Sequence, residues 1–543
     1  MMSPMKILSA AEMQACDRVT TEQFGIPSID LMRNAANSVA NFVREQFPQA
    51  QRITILCGRG NNGGDGLMTA SLLIESGLDV KTILLGDPEN LKGDAAQAWA
   101  ELRAIAYASV EIVIAAEELP KHFGALKTDL IIDAVLGTGF KPPLRGLPLA
   151  VFEWLKFAAE LPPILAIDLP SGWDADSTES TAENAYPADA AVTFTAPKPA
   201  HVFGQLTHSI RQPIVVASIG SPDEAIVSGL NLHWSGSAKA ITDPERVPDS
   251  NKGMYGHVLV IGGSTGKSGA PAMASLAALR TGAGLVTTAV APSVLPQVAA
   301  IAPELMTLAL ATTLSGEISS DNLAPESLKA LLHRITVLAI GPGLGTSPEA
   351  VEFTLGLLQQ SQIPAVIDAD ALNALATNPG LLPAISANRT VVLTPHPGEM
   401  ARLTGLETRQ IQTDRINIAR GFATKNQVTL VLKGWRTLIA HPDGSIAVNT
   451  TGNPGMAKGG SGDLLTGMVA ALLAQHPTNP KQAVEAAVYL NGLAADITVR
   501  SPGIGGDQHT LLATDALTHL RTAFHFYPQA KSGYCWLQGF PKE

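Results

Sequence analysis

The chain has 543 residues, 46% hydrophobic, 16% charged and 5% aromatic; at about 150 residues per domain, one small fold is excluded and two large domains or three to four smaller ones remain. The composition is globular, with a core of aliphatic side chains and Ala rather than a disordered chain. A net charge of −11, from 37 Lys and Arg against 48 Asp and Glu, repels phosphate backbones and anionic bilayers, so neither nucleic acid nor membrane is an expected partner.

Cys16, Cys57 and Cys535 are too few and too scattered for a disulfide framework or a zinc cage, and they suit a reducing compartment. Glu12, Asp17 and Arg18 fall where a secretory signal needs an apolar core, and no later stretch reaches about eighteen apolar residues. A soluble cytoplasmic protein is expected.

Ser9 followed by Glu12 predicts a capping box, and Ser28 before IDLMRNAANSVANFV predicts a second N-cap, so two helices come first. Short aliphatic runs then alternate with helical patterns: 52–58, 79–86, 129–137, 163–172, 190–196 and 213–220. Continuous apolar strands separated by helices imply a parallel sheet covered on both faces. That is a Rossmann-like three-layer α/β/α domain, expected over residues 1–225. The rhythm pauses over 226–256, rich in Pro, Gly, Ser and charge, which reads as a linker. It restarts at 257–263, 284–290, 335–343, 364–370, 390–399 and 428–434, predicting a second α/β domain over 257–525. RTLIAHPDGSIAV predicts a hairpin around Asp443-Gly444, added at a sheet edge. Residues 526–543 show no clear period and are expected to form a mobile tail.

In the first half, GRGNNGGDG (Gly58 to Gly66) lies between a strand ending at Cys57 and a helix expected from about Leu67. Such a loop turns backbone N–H groups toward an anion near a helix N-terminus, as for a dinucleotide-like ligand. It also reads as a tight turn with Asp65 as a cap. Two more strand ends carry acids before small residues, Asp133-Ala-Val-Leu-Gly137-Thr-Gly139 and Asp168-Leu-Pro-Ser171-Gly172. Parallel strands end along one edge, so Asn62, Asp65, Asp133, Asp168 and Ser171 are expected in one pocket. Singly, each acid would serve equally as a turn former.

GRGNNGGDG, DAVLGTGFKPPLRG and DLPSG, in that order behind two helices, resemble the NAD(P)H-hydrate epimerase domain over roughly residues 1–225. The resemblance implies interconversion of the R and S forms of NADHX and NADPHX, nicotinamide cofactors hydrated at C6 of the reduced ring. It implies that Asn61, Asn62, Gly63, Gly64 and Asp65 cradle the hydrate, and that Gly137, Thr138, Gly139, Phe140, Lys141, Pro142 and Pro143 form the opposite wall. Asp168 would contact the reacting end, and a potassium ion would lie near Asn62, Asp133 and Ser171. Inverting a carbinolamine requires hydroxide to leave and return with proton transfer at oxygen, and one carboxyl can do both; Asp168 is the expected acid/base.

In the second half, VLVIGGSTGKSG fails as a P-loop because Ile261 stands where the first Gly is required, and Lys267 reads as a solvated loop lysine. NTTGNPGMAKGGSGD precedes LLTGMVAALLA, so a glycine-rich loop opens a helix whose N-terminal N–H groups can hold phosphoryl charge. Asp463 is placed to accept a proton from an attacking hydroxyl, or to act as an ordinary first-turn acid. SGAPAMASLAALRTGAGLV, AIGPGLG, IDADALN, LTPHPGEMARL, VLKG and GMAKGGSGD resemble the ADP-dependent NAD(P)H-hydrate dehydratases, of ribokinase-like fold. The resemblance implies that Ala270, Gly343, His396 and Asp463 contact the S-hydrate. ADP would be held by Lys433, Gly434, Trp435, Arg436 and Thr437, and by Asn453, Pro454, Gly455, Met456, Ala457, Lys458, Gly459, Gly460, Ser461 and Gly462. Mg²⁺ is expected with the diphosphate; Asp368 and Asp370 are candidate ligands or strand-end turn formers. The fused order is similar to that of bacterial bifunctional repair enzymes, and a homo-oligomer is expected. A vitamin or sugar kinase fused to a nucleotide-binding domain, and a catalytically silent scaffold, are the competing readings.

Overall fold

The computed structural model describes residues 4–123, 127–158, 160–209, 212–501, 506–529 and 533–542. In chain order the strands are β1 (Arg52–Cys57), β2 (Asp79–Leu85), β3 (Ser109–Val113), β4 (Leu130–Ala134), β5 (Ile164–Ile167), β6 (Ala190–Phe194), β7 (Ile214–Ala217), β8 (Leu232–Trp234) and β9 (His257–Ile261). There follow β10 (Leu285–Val290), β11 (Met306–Ala309), β12 (Val337–Ile340), β13 (Ala365–Ile367), β14 (Val391–Leu393), β15 (Thr429–Leu432), β16 (Leu438–Ala440), β17 (Ile446–Val448) and β18 (Tyr534–Gln538). They divide into two units, Met5–Asn231 with Tyr527–Glu543, and Leu232–Phe526.

The first sheet runs β18-β7-β6-β5-β4-β1-β2-β3, parallel except for β18. The second runs β11-β10-β9-β12-β13-β14-β15-β16-β17-β8. In the first, the chain starts near the middle at β1, winds one way for two strands and then returns to build the other side; in the second it does the same from β9, after β8 has taken the far edge beyond β17. The switch point falls between β1 and β4 in one sheet and between β9 and β12 in the other, and such crevices at the carboxyl ends of strands are where open α/β sheets bind ligands. Register keeps those ends level, with Cys57 beside Ala134 and Asp133 beside Ala166.

Strands buried on both faces need covering helices. Helix Asn61–Glu75 packs on β1 and β2, while Val151 and Leu155 of helix Gly146–Phe157 join Leu56, Ile83 and Ile131 in one apolar cluster. Burying each such side chain contributes about 1.5–3 kcal/mol.

Four local expectations change. Ser9 forms its capping box with Glu12, but the second helix is Ser28–Gln46 with Pro27 at its N-cap. The helix expected from Leu67 begins at Asn61, because glycine lets its first turn lie flat on the strand end: a Cβ on Gly63 would stand 1.9 Å from the Gly58 carbonyl oxygen. The 438–448 hairpin is not the sheet edge, since β8, within the expected linker, pairs parallel to β17 and buries Trp234. The expected tail contains β18, antiparallel to β7. Its YCWLQ run is buried on both faces and therefore has no alternation to read; the Tyr534 hydroxyl donates to the Ser38 carbonyl at 2.6 Å.

His233 and His441 each place Nε2 2.9 Å from Glu485 Oε1, tying their segments to helix Pro480–Arg500. Burial opposes ionisation of Glu485, yet the two imidazoles outweigh it and hold the carboxyl down at about 2.

Candidate functional site

At the first switch point lies a cavity of about 1120 Å³. It gathers Asn61, Asn62 and Asp65 from the first turn of helix Asn61–Glu75, Gly137 to Lys141 from the loop after β4, and Asp168 from the end of β5. Gly63 and Gly64 are buried beneath that first turn, and Pro142 and Pro143 are exposed.

Asp168 sits at φ 64°, a left-handed conformation rare outside Gly, Asn and Asp. Each carboxylate oxygen has two donors. Oδ2 accepts from Thr138 N–H at 2.9 Å and from the Thr138 hydroxyl; Oδ1 accepts from the Thr193 hydroxyl at 2.8 Å and Lys198 Nζ at 3.0 Å. Burial favours the neutral acid, but Lys198, His201 and the Thr138 hydroxyl outweigh it and hold the carboxyl below the usual carboxylate range. Lys198 and Thr193 escaped the sequence reading, because the search stopped at strand ends bearing acids, whereas Lys198 follows the next strand, β6.

Asp133 and Ser171 are both 1% exposed. The Asp133 carboxylate accepts from Ser171 N–H at 2.7 Å, the Ser171 hydroxyl at 2.6 Å and Val135 N–H at 3.1 Å. No cation pairs with it among the described residues, and burial lifts its carboxyl to about 6. The Asn62 amide nitrogen is buried with no hydrogen-bond partner among the described residues, while Cγ and Oδ1 of the same side chain stand against Gly137.

At the second switch point the polypeptide segments interlock. Ser264 N–H donates to the Gly343 carbonyl at 2.8 Å, and a Cβ on Gly343 would meet Lys267 and Ala270. Lys267 is not merely solvated: its Nζ is 3.3 Å from Asp370 Oδ2, which also accepts from Gly345 N–H at 2.9 Å. Asp368, 2% exposed, accepts from Lys433 Nζ at 3.0 Å and the Thr466 hydroxyl at 2.8 Å. Lys433 reaches on toward Glu399 at 3.8 Å, and Gly462 lies beside its ammonium.

Asp463 occupies the first turn of helix Ser461–Gln475, entered through Gly460 at φ 98°. There a Cβ would strike Met273 Sδ at 2.7 Å, so glycine is required twice over. Burial and the Asp368 charge lift the Asp463 carboxyl to about 6 against the opposing Lys433.

His396 caps helix Pro397–Thr404: Nδ1 accepts from Gly398 N–H at 3.0 Å, and Glu399 returns a bond to His396 N–H. That use of Nδ1 leaves Nε2 as the N–H of the neutral ring, on a side chain 51% exposed.

The 433–437 turn is held from behind by Arg415, which reaches the carbonyls of Leu432, Trp435 and Arg436. Trp435 is exposed, Thr437 bonds to Gly434, and the Arg436 guanidinium is turned inward under the indole. In the 453–462 loop, Asn453 bonds to Gly455 N–H and to Asp496, and Lys458 donates to the His509 and Leu511 carbonyls. Pro454, Ala457 and Gly459 are exposed. Arg415, Thr466 and Asp496 were absent from the sequence reading, since none lies in a glycine-rich or strand-end motif.

Family models cover both halves: residues 28–200 match the YjeF-related protein N-terminus and residues 258–517 match NAD(P)H-hydrate dehydratase. The bifunctional NAD(P)H-hydrate repair enzyme of Moorella thermoacetica is 41% identical over 527 residues, covering 95% of this chain and 96% of its own length. This chain belongs to the bifunctional NAD(P)H-hydrate repair enzyme family. The family member from Escherichia coli is 33% identical over 95% of this chain and 94% of its own. The ADP/ATP-dependent NAD(P)H-hydrate dehydratase of Bacillus subtilis, solved with ATP and Mg²⁺, is 33% identical, with a TM-score of 0.45 covering 54% of this chain and 96% of that one. As in the family, an epimerase-type and a dehydratase-type domain share one polypeptide. No helix among the described residues is long and apolar enough to cross a membrane.

Proposed function

We propose that this chain repairs both epimers of NADHX and NADPHX. The first unit interconverts R and S; the second converts S to the reduced cofactor at the expense of ADP, leaving AMP and phosphate. One observation carries the reading: Asp463, at the mouth of a glycine-rich helix start, has a carboxyl with no donor among the described residues, lifted to about 6 by burial and Asp368 against Lys433. A carboxylate in that condition accepts the proton of the C6 hydroxyl as its oxygen attacks the terminal phosphorus of ADP. The helix N–H groups stabilise the transferring charge and the bond to AMP breaks; the C6–O bond then breaks as phosphate departs under the push of the ring nitrogen, and a C5 proton is lost as the C5=C6 bond forms and the electron pair returns to nitrogen. Ala270, Gly343 and the His396 Nε2–H support placement of the hydrate, and the 433–437 and 453–462 loops support that of ADP.

In the first unit, Asn61 to Asp65 and Gly137 to Pro143 flank the hydrate, and Asp168 lies at its reacting end. Asn62, Asp133 and Ser171 fit a potassium ion in donor chemistry: an uncompensated buried carboxylate, a hydroxyl and an amide suit a hard cation. Such an ion would supply fixed positive charge beneath the hydrate. Asp368 and Asp370 do not fit Mg²⁺ as ligands, because the Lys433 and Lys267 ammonium groups already balance their charge, whereas Asp133 has no cation among the described residues. The three unpaired, buried cysteines support a reducing, cytoplasmic setting.

The test is to supply mixed NADHX epimers with ADP and follow recovery of the NADH absorbance band. Full recovery is expected; recovery stopping near half would remove the epimerase assignment, and none would remove both.

A further inference from the structure

A carboxylate that moves protons needs an open lone pair, and Asp168 has none: its two oxygens, with about four acceptor sites, hold four donors. The same cavity contains two carboxyls in the opposite condition. Asp17, on helix Ala10–Glu22, has a buried Oδ1 with no hydrogen-bond partner among the described residues. Asp65, on the first turn of helix Asn61–Glu75, receives no hydrogen bond on its carboxylate among the described residues; the nearby Thr69 hydroxyl is taken up by the Asp65 backbone carbonyl.

We propose that Asp17 and Asp65 are the proton carriers of the first site, one for each face of the hydrated ring, and that Asp168 is a fixed counter-charge for the cation formed between them. The inference rests on the epimerase reading of that site.

Inversion at C6 demands departure from one face and return to the other, and two carboxyls on separate helices can serve what a single immobilised one cannot. The protonated member gives its proton to the C6 oxygen, the C6–O bond breaks and water leaves, while the ring nitrogen lone pair forms C6=N⁺. Water then adds to the opposite face, the C6=N⁺ pair returns to nitrogen, and the second carboxylate takes the surplus proton. One proton has moved from one Asp to the other, so the reverse reaction uses the same pair with roles exchanged. Asp168, paired to Lys198 and held ionised, lies where the cationic intermediate gains most from it.

A pair of this kind must keep one shared proton near neutral pH. Burial, then the surrounding charges, arrange this: Asp65 is pushed well above the usual range by burial with Asp168, Asp17 and Asp94, and Asp17 is pushed up to about 6 by burial, Lys198 opposing in both. Cys16 and Asp168 also face Asp17.

The experiment uses the full chain, each epimer of NADHX separately, and H₂¹⁸O without ADP, with inversion followed by NMR and label at C6 by mass spectrometry. Wild type must first invert either epimer faster than buffer; if it does not, the epimerase reading falls and the carriers with it. With inversion established, Asp17→Asn and Asp65→Asn are each expected to lose it by about 10²-fold or more. Each variant should still exchange ¹⁸O into one epimer only, through its surviving carboxyl, and the two variants should exchange opposite epimers. A merely structural role would remove exchange from both epimers alike. Retained inversion in both variants, or loss of exchange from both epimers in both, overturns the proposal. Should Asp17→Asn not fold, Asp65→Asn alone keeps the criterion: exchange must survive in one epimer only, and its loss from both or its retention in both overturns the proposal.

Discussion

Asp168, just after strand β5 in the first unit, and Asp463, on the first turn of helix Ser461–Gln475 in the second, are acids in contrasting surroundings. Both are taken out of water, which favours the neutral acid. Asp168 is met by four donors including an ammonium and remains ionised; Asp463 is met by none among the described residues, the opposing Lys433 is already committed to Asp368, and its carboxyl rises to about 6. Donor count, rather than depth of burial, separates a standing charge from a group that can pick up and release a proton.

The largest effect expected from this contrast is on chemistry at the second site. Asp463→Asn should lower dehydration of the S epimer by about 10²- to 10⁴-fold with little change in KM for ADP, checked by NADH formation from purified S-NADHX; a loss under tenfold would return Asp463 to a first-turn acid.

At the first site the corresponding change is to stability. Lys198→Met leaves Asp168 buried without its cation and should cost about 3–5 kcal/mol by chemical denaturation near neutral pH. The sign with pH is also set. In wild type the depressed Asp168 contributes stability above the ordinary carboxylate range and loses it on acidification, whereas the variant should recover part of its deficit as the orphaned acid is allowed to protonate.

Asp463 titrating near 6 predicts a third result. A base must be ionised, so the chemical step of dehydration should fall about tenfold per pH unit below about 6, measured by single turnover; a step independent of pH down to 5 would break the parallel.

Smallest is Thr193→Val, which removes one neutral donor from Asp168 and should cost about 1.5–3 kcal/mol. Its value is to show whether the four donors act singly or as a unit, by a double-mutant cycle with Thr138→Val.

Much of this was legible in the sequence for a specific reason. Apolar runs broken by Gly, Asp and Ser announce parallel strands and mark their carboxyl ends, so Asp133 and Asp168 could be placed along one sheet edge without coordinates, while Gly343 and the 453–462 loop were reached through the resemblance. What escaped were groups whose role depends on partners far along the chain. Lys198 comes to Asp168 across β6, and Glu485 to His233 and His441 across more than one element. β18 was missed because complete burial erases the alternation that would have revealed it. Asp17 entered only as a charge unsuited to a signal peptide, although it faces the first cavity.

Residue order by itself determined most of the strands and helices and which polar residues stand at their ends, because those follow from local period and turn chemistry, while strand order and the two edge strands β8 and β18 did not follow from it. Tertiary structure alone decided which of the gathered acids are charged. Proton affinity is the sum of desolvation and every donor or charge within a few ångströms, and those neighbours arrive from helices and strands that the chain sets tens to hundreds of residues apart.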